Sequence, residues 1–193
     1  ARLSISHDRL LTVIIQPHVR YIEEIHRDQI HGVLVVQTEC RDTGTGLLLP
    51  LLELHHMDPG SIAVTFPADH FILENGRFMK YVESAADFVE AHPELLVLIG
   101  VKPQRAEVEY GWIEPKKKTI PFRGHGFFPV HRFWEKPAPE MAAQLRAKGC
   151  LWNTFVSIGR TSTFLQHFQE HMPEVFKRFE SVQDAFGTHR EEQ

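Results

Sequence analysis

The sequence predicts an α/β fold: helices on both faces of a mostly parallel sheet, with a small antiparallel addition. Three observations predict it. Up to Val101, short β-branched apolar runs alternate with amphipathic helical stretches, the pattern of βαβ units. From Glu109 onward the pattern changes to strands joined by a polar, basic loop. The chain has 193 residues, 42% of them hydrophobic and 24% charged, enough for one full core without help from disulfides or metals.

The elements follow in order. Leu11 to Ile15 reads as a strand that stops at Gln16-Pro17-His18. His18 to Asp28 reads as a helix with Val19, Ile22 and Ile25 on one face. Gly32 to Gln37 is a buried strand. Thr43 to His56 is a helix with a broad leucine face, Leu47, Leu48, Leu51, Leu52 and Leu54. Pro50 either kinks that helix or sits in its first turn. Asp58-Pro59-Gly60 makes a turn into a strand at Ser61 to Phe66. Arg77 to Ala91 is a helix with Phe78, Val82, Ala85, Phe88 and Val89 at helical spacing, closed by His92-Pro93. Leu95 to Val101 is the next strand. Tyr110 to Glu114 and Phe127 to Trp134 are strands around a loop holding Lys116, Lys117 and Lys118. Pro139 to Lys148 is a helix and Asn153 to Gly159 a strand. Thr161 begins a helix capped by Thr161-Ser162, and helical character continues past Pro173.

Composition excludes several classes. Lys and Arg total 21 against 25 Asp and Glu, a net charge of -4, which argues against a nucleic-acid binder. Cys40 and Cys150 lie far apart with no zinc spacing; a single disulfide stays open, but two scattered cysteines point to a reducing compartment. No apolar run reaches membrane-spanning length, and Ala1-Arg2-Leu3-Ser4 lacks the h-region of a signal peptide. The expectation is a cytoplasmic protein with no membrane partner.

In open α/β sheets ligands bind beyond the carboxyl ends of the strands, and three such ends here are polar. Asp69, in Pro67-Ala68-Asp69-His70, is a hard oxygen ligand suited to Mg²⁺, or a turn cap. Gln37 to Gly46 presents backbone N–H groups at a helix start, or simply caps it. Lys136, in Phe133-Trp134-Glu135-Lys136-Pro137, can hold a phosphate as a point cation, or pair with a surface carboxylate. Asn153, in Leu151-Trp152-Asn153-Thr154, can match sugar hydroxyls, or bond to backbone. His167 and His171 stand i, i+4 on a helix, a metal-competent spacing without the Glu of an HExxH.

In this order along almost the whole chain, these segments resemble the sugar-1-phosphate nucleotidylyltransferases, most closely the mannose-1-phosphate guanylyltransferases. Pro67 to His70 matches that family's P-A/S-D-H, Glu109 to Ile113 its Y-G-Y/W-I, Phe133 to Pro137 its F-x-E-K-P, and Leu151 to Thr154 its L-W-N-S/T. Gln37 to Gly46 resembles its base-contacting segment through Arg41 and Thr43, while Thr38, Asp42, Gly44 and Thr45 depart from it.

The resemblance implies a Rossmann-like three-layer sandwich of the nucleotide-diphospho-sugar transferase type. It implies GTP, or another NTP, and mannose 1-phosphate, or another sugar 1-phosphate, as substrates, with GDP-mannose and pyrophosphate as products. Asp69 would bind the catalytic Mg²⁺ and Lys136 would grip the sugar phosphate. Glu109, Tyr110, Gly111, Glu135 and Asn153 would meet the sugar, and Arg41 and Thr43 the base. The family's Gly-rich loop, G-G-x-G-x-R-L, has no match, and Asp184 is the nearest candidate for its second metal-binding Asp. Residues 1–193 are therefore expected to form a single nucleotidyltransferase-like domain, incomplete at both ends and inefficient alone. Apolar surface left by the absent N-terminal part is expected either to drive homodimer formation or to be covered by the helices. The rival readings are a catalytically incompetent fragment or paralogue that binds a nucleotide sugar in a regulatory role, and a metal hydrolase with zinc on His167 and His171.

Overall fold

A computed structural model describes residues 5–24, 32–37 and 42–183. The chain divides into two compact units, residues 1–63 with 160–193, and residues 64–159.

In the first unit, β1 (Leu11–Ile15) and β2 (Val33–Gln37) pair in parallel, from Leu11 opposite Val33 to Ile15 opposite Gln37. Gly32 enters β2 at φ 96°, and a Cβ there would stand 2.1 Å from the Leu10 carbonyl oxygen, so glycine is required. A short turn at Gln16–His18 leads into α1 (Val19–Glu24). α2 spans Asp42–Met57 and buries Leu48, Leu51 and Leu52. Pro50 lies inside this helix rather than in its first turn. α5 (Thr161–His171) and α6 (Pro173–Gln183) pack on α2.

Helical character continues past Pro173 as expected, in two helices: α5 stops before Met172 and Pro173 opens α6, because proline lacks the N–H that would continue the ladder. One expectation is corrected: Thr161 and Ser162 do not cap α5. Arg160 stands at the cap position without a side-chain capping bond, and Thr161 is already helical, with its hydroxyl 3.0 Å from His55 Nδ1.

The second unit is built on a sheet of order β3–β9–β5–β8, with β4 also pairing β9. The strands are β3 (Ile62–Thr65), β4 (Val97–Val101), β5 (Trp112–Pro115), β8 (Val130–Trp134) and β9 (Leu151–Arg160). β4 with β9, β5 with β8 and β5 with β9 are all antiparallel, so the expected mostly parallel character holds only in part, in the β1–β2 pair, and the main sheet is largely antiparallel. The local βαβ rhythm is present: α3 (Asn75–Ala91) carries the chain from β3 to β4 and buries Val82, Ala85, Phe88 and Val89. But β3 and β4 are not neighbours, because β9 from late in the sequence pairs with both.

The segment expected as a basic loop holds a hairpin, β6 (Ile120–Phe122) and β7 (His125–Phe127). Its two turn residues, Arg123 and Gly124, have φ 46° and 83°, the backbone of a tight two-residue hairpin turn. The hairpin rests on α3, with Phe127 stacked on Phe88 at 4.0 Å between centroids. α4 (Pro139–Ala147) packs Ala142 and Leu145 against Trp112 and Cys150, the fully buried centre of this unit.

Candidate functional site

Strand register brings three distant motifs together. Trp112 on β5 lies opposite Trp134 on β8 and opposite Trp152 on β9. One residue outward in the same antiparallel register, Gly111 must then meet Glu135 on one side and Asn153 on the other. It does. The Asn153 N–H donates to the Gly111 carbonyl oxygen at 2.8 Å. A Cβ on Gly111 would stand 3.2 Å from Glu135 Oε2 and 2.6 Å from the Phe133 ring, so only glycine lets these two side chains cross the strand here.

The tryptophan row is the platform beneath. Trp112 is fully buried and its indole N–H donates to the Glu107 carbonyl oxygen at 2.9 Å. Trp134 donates to Glu114 Oε2 at 3.0 Å, and this bond, helped by Lys148, holds the Glu114 carboxyl below the usual carboxylate range. The Tyr110 ring stands edge-on to Trp152 at 5.2 Å. Trp152 Nε1 is buried with no hydrogen-bond partner among the described residues.

Around Gly111 the chain holds unusual backbone. Lys136 has φ 40° and Phe155 has φ 58°, the left-handed region that costs a non-glycine residue about 1–2 kcal/mol. Lys136 also precedes Pro137, a position normally extended. Such strain persists where surrounding structure imposes it, and it concentrates at functional sites. The Phe155 kink lies in an irregular stretch of β9 opposite the Leu98–Gly100 stretch of β4. Asn153 Oδ1 accepts from the Phe155 N–H at 3.2 Å. The Thr154 hydroxyl donates to the Ile99 carbonyl oxygen at 2.6 Å and accepts from the Val156 N–H at 3.3 Å. Backbone bonding therefore occupies the carbonyl end of the Asn153 amide, and its –NH₂ end is the donor left for a ligand. Lys136 is exposed and has no acidic partner among the described residues, so the surface salt-bridge reading fails for it.

Glu109 and Tyr110 are both exposed beside this cluster. Their position depends on a residue that the sequence reading missed. Glu107 Oε1 accepts from the backbone N–H groups of Val108 at 3.0 Å and Glu109 at 3.3 Å, while Oε2 meets Arg105 at 2.7 Å. The Arg105 bond, and then the Glu109 N–H, pull the Glu107 carboxyl below its ordinary range. An acid two residues before Glu109 and two after Arg105 was the available signal.

Asp69 comes from another strand end, in the turn after β3. The end of β3 is tied to β9 through Thr65 Oγ1 and Ser157 Oγ, 2.6 Å apart. The Asp69 carboxylate is 88% exposed, with His70 Nε2 4.0 Å away. An open carboxylate of this kind fits Mg²⁺, which binds through one or two carboxylates together with substrate phosphates and water. In the first unit, Thr43 is exposed in the opening turn of α2, and Gln37 Nε2 donates to the Gly46 carbonyl oxygen at 3.0 Å. Arg41 and Asp184 lie outside the described residues.

The family model for nucleotidyl transferases matches residues 4–188. The chain belongs to the nucleotidyl transferase family. Among its relatives, mannose-1-phosphate guanylyltransferase 2 of Escherichia coli O157:H7 is 25% identical over 190 residues, covering 94% of this chain and 39% of that protein. This nucleotidyl transferase chain thus spans well under half the length of that relative. The crystal structure of mannose-1-phosphate geranyltransferase from Thermus thermophilus matches with a TM-score of 0.77 at 23% identity, over 94% of this chain and 50% of that one. Mannose-6-phosphate isomerase from Helicobacter pylori matches with a TM-score of 0.74 at 22% identity, over 92% of this chain and 66% of that one. Both structures share the fold. Among the described residues, no helix of this transferase-family chain is long and apolar enough to cross a membrane.

Proposed function

We propose that this chain carries the sugar-phosphate and metal-binding side of a nucleotidylyltransferase that joins an NTP to a sugar 1-phosphate. The pair we favour is GTP and mannose 1-phosphate, on the name of the 25% identical relative. The observation that carries the reading is the meeting of three sequence-distant motifs at Gly111: the Asn153 N–H bonded to its carbonyl, Glu135 across its open Cα, and Lys136 next along the chain.

In this reading a phosphate oxygen of the sugar 1-phosphate attacks the α-phosphorus of the NTP in line. A new P–O bond forms, the α–β bridging P–O bond breaks, and pyrophosphate leaves. Such transfer needs positioning and charge neutralisation more than covalent help. Lys136 holds the attacking phosphate with an unpaired ammonium on constrained backbone. The –NH₂ of Asn153 and the carboxylates of Glu109 and Glu135 fix the hexose hydroxyls, and Gly111 keeps the surface low enough for the ring. Tyr110 supplies a wall. Arg41 and Thr43 are assigned to the base. Asp69 would hold Mg²⁺, which when bound neutralises charge on the triphosphate. The buried free thiol of Cys150 suits a cytoplasmic setting.

The test is calorimetric binding of GDP-mannose, beside a pyrophosphate-release assay with GTP, mannose 1-phosphate and Mg²⁺. Binding lost in Asn153→Ala and Lys136→Ala supports the assignment. Full binding in both variants sinks it. Binding without pyrophosphate release would favour the regulatory binder over the enzyme.

A further inference from the structure

In the first unit, the last turns of α5 gather His167, Glu170 and His171, all exposed. Each offers one ligand atom, and those atoms lie within 4.8 Å of one another. Positions i, i+3 and i+4 share a helix face. The two imidazoles are nearly parallel, at 11°, with centroids 5.7 Å apart. Gln166 Nε2 donates to Glu170 Oε1 at 2.8 Å, the kind of outer bond that orients a ligating carboxylate. The preceding turn of α5 is anchored through buried Thr163, Phe164 and Leu165, so the three side chains stand on a fixed backbone. A metal held at about 2.0–2.2 Å from each donor needs only side-chain rotation to close the set. The site also sits at a helix C-terminus, where the dipole favours a cation.

We propose that α5 carries a surface site for a borderline transition-metal cation, bound by His167, Glu170 and His171 with water completing the sphere. Two imidazoles and one carboxylate suit Zn²⁺ and its neighbours, whereas Mg²⁺ prefers an all-oxygen sphere. The site is thus separate in chemistry from Asp69. It acts as a clip across the final turns of α5, just before the break at Met172, and does not depend on the nucleotidyl-transfer reading.

The experiment uses the untagged chain and zinc chloride, titrated in competition with a chromophoric chelator. Wild-type protein is expected to take one Zn²⁺ that millimolar Mg²⁺ does not displace. Glu170→Gln weakens binding about 10–100-fold and His167→Gln with His171→Gln abolishes it, the scale seen when metal-site shells are altered. Zinc raises the melting temperature of the wild type and not of the double variant, since a ligand that binds only the folded state stabilises it. All three positions are exposed, so the variants keep the fold. Equal zinc affinity in the wild type and the double variant overturns the proposal. So does wild-type protein that takes no zinc.

Discussion

At the residue scale, Lys136 separates charge from backbone. Lys136→Ala and Lys136→Gly both remove the ammonium, so both should lose sugar-phosphate binding alike. They should differ in stability. Glycine relieves a left-handed penalty of about 1–2 kcal/mol and adds about 0.4–1 kcal/mol of unfolded-state freedom, a net gain of about 1 kcal/mol over alanine. Urea unfolding of the pair measures this, and an alanine variant as stable as the glycine one would show that no strain is stored there. Gly111→Ala tests the neighbouring point. Its methyl meets the tips of Phe133 and Glu135, both exposed and able to swing aside. The substitution should lower the unfolding free energy by no more than about 1–3 kcal/mol. The displaced Glu135 should raise KM for the sugar 1-phosphate severalfold while the fold survives. An unchanged KM would remove Gly111 from the sugar side. Glu135, Lys136 and Asn153 were legible as site candidates because each is a charged or amide side chain set in a short motif at a strand end. Glu107 was not, because it works on backbone amides, which leave no pattern in side-chain type.

At the element scale, the loop before β5 is held by a carboxylate whose pKa is lowered by folding. A depressed folded pKa gives stability that is present above the ordinary value, about 4.5, and is lost as pH falls through the folded value. Melting temperatures of the wild type and Glu107→Gln should therefore differ most above about pH 5, with the gap shrinking as pH falls below the ordinary value of about 4.5. A gap that stays constant to pH 3 would mean that the ionised carboxylate contributes nothing. Helices and most strands were readable from periodicity, since each buries a face against its own unit. The β6–β7 hairpin was not, because three-residue strands containing Pro121 and Gly126 carry little alternation. The Arg123-Gly124 turn between Ile120, Phe122 and Phe127 was the signal that could have found it. Strand direction was misread for a different reason: local rhythm reports which elements follow each other, not which strand enters between them.

At the scale of the whole molecule, Cys150 reports on the core of the second unit. It is 1% exposed, its N–H donates to the Leu145 carbonyl oxygen at 3.0 Å, and burial pushes its thiol pKa up. In a Cys40→Ser background, thiol-reagent labelling of native protein should run at least about a thousandfold slower than in urea. Comparable rates would mean that this core opens locally. The order of the sheet has a further consequence, for how the chain is made. β3 and β4 leave the ribosome early, but β9 pairs with both, and about fifty residues separate Val101 from Leu151. At roughly 5–20 residues per second, the slot between them stays open for about 3–10 s. Through that interval two strand edges stand unpaired, the condition in which nascent sheets mispair. The strand that finally fills the slot is the one that bears Asn153, so the donor proposed for the sugar is set in place only by the event that closes the sheet.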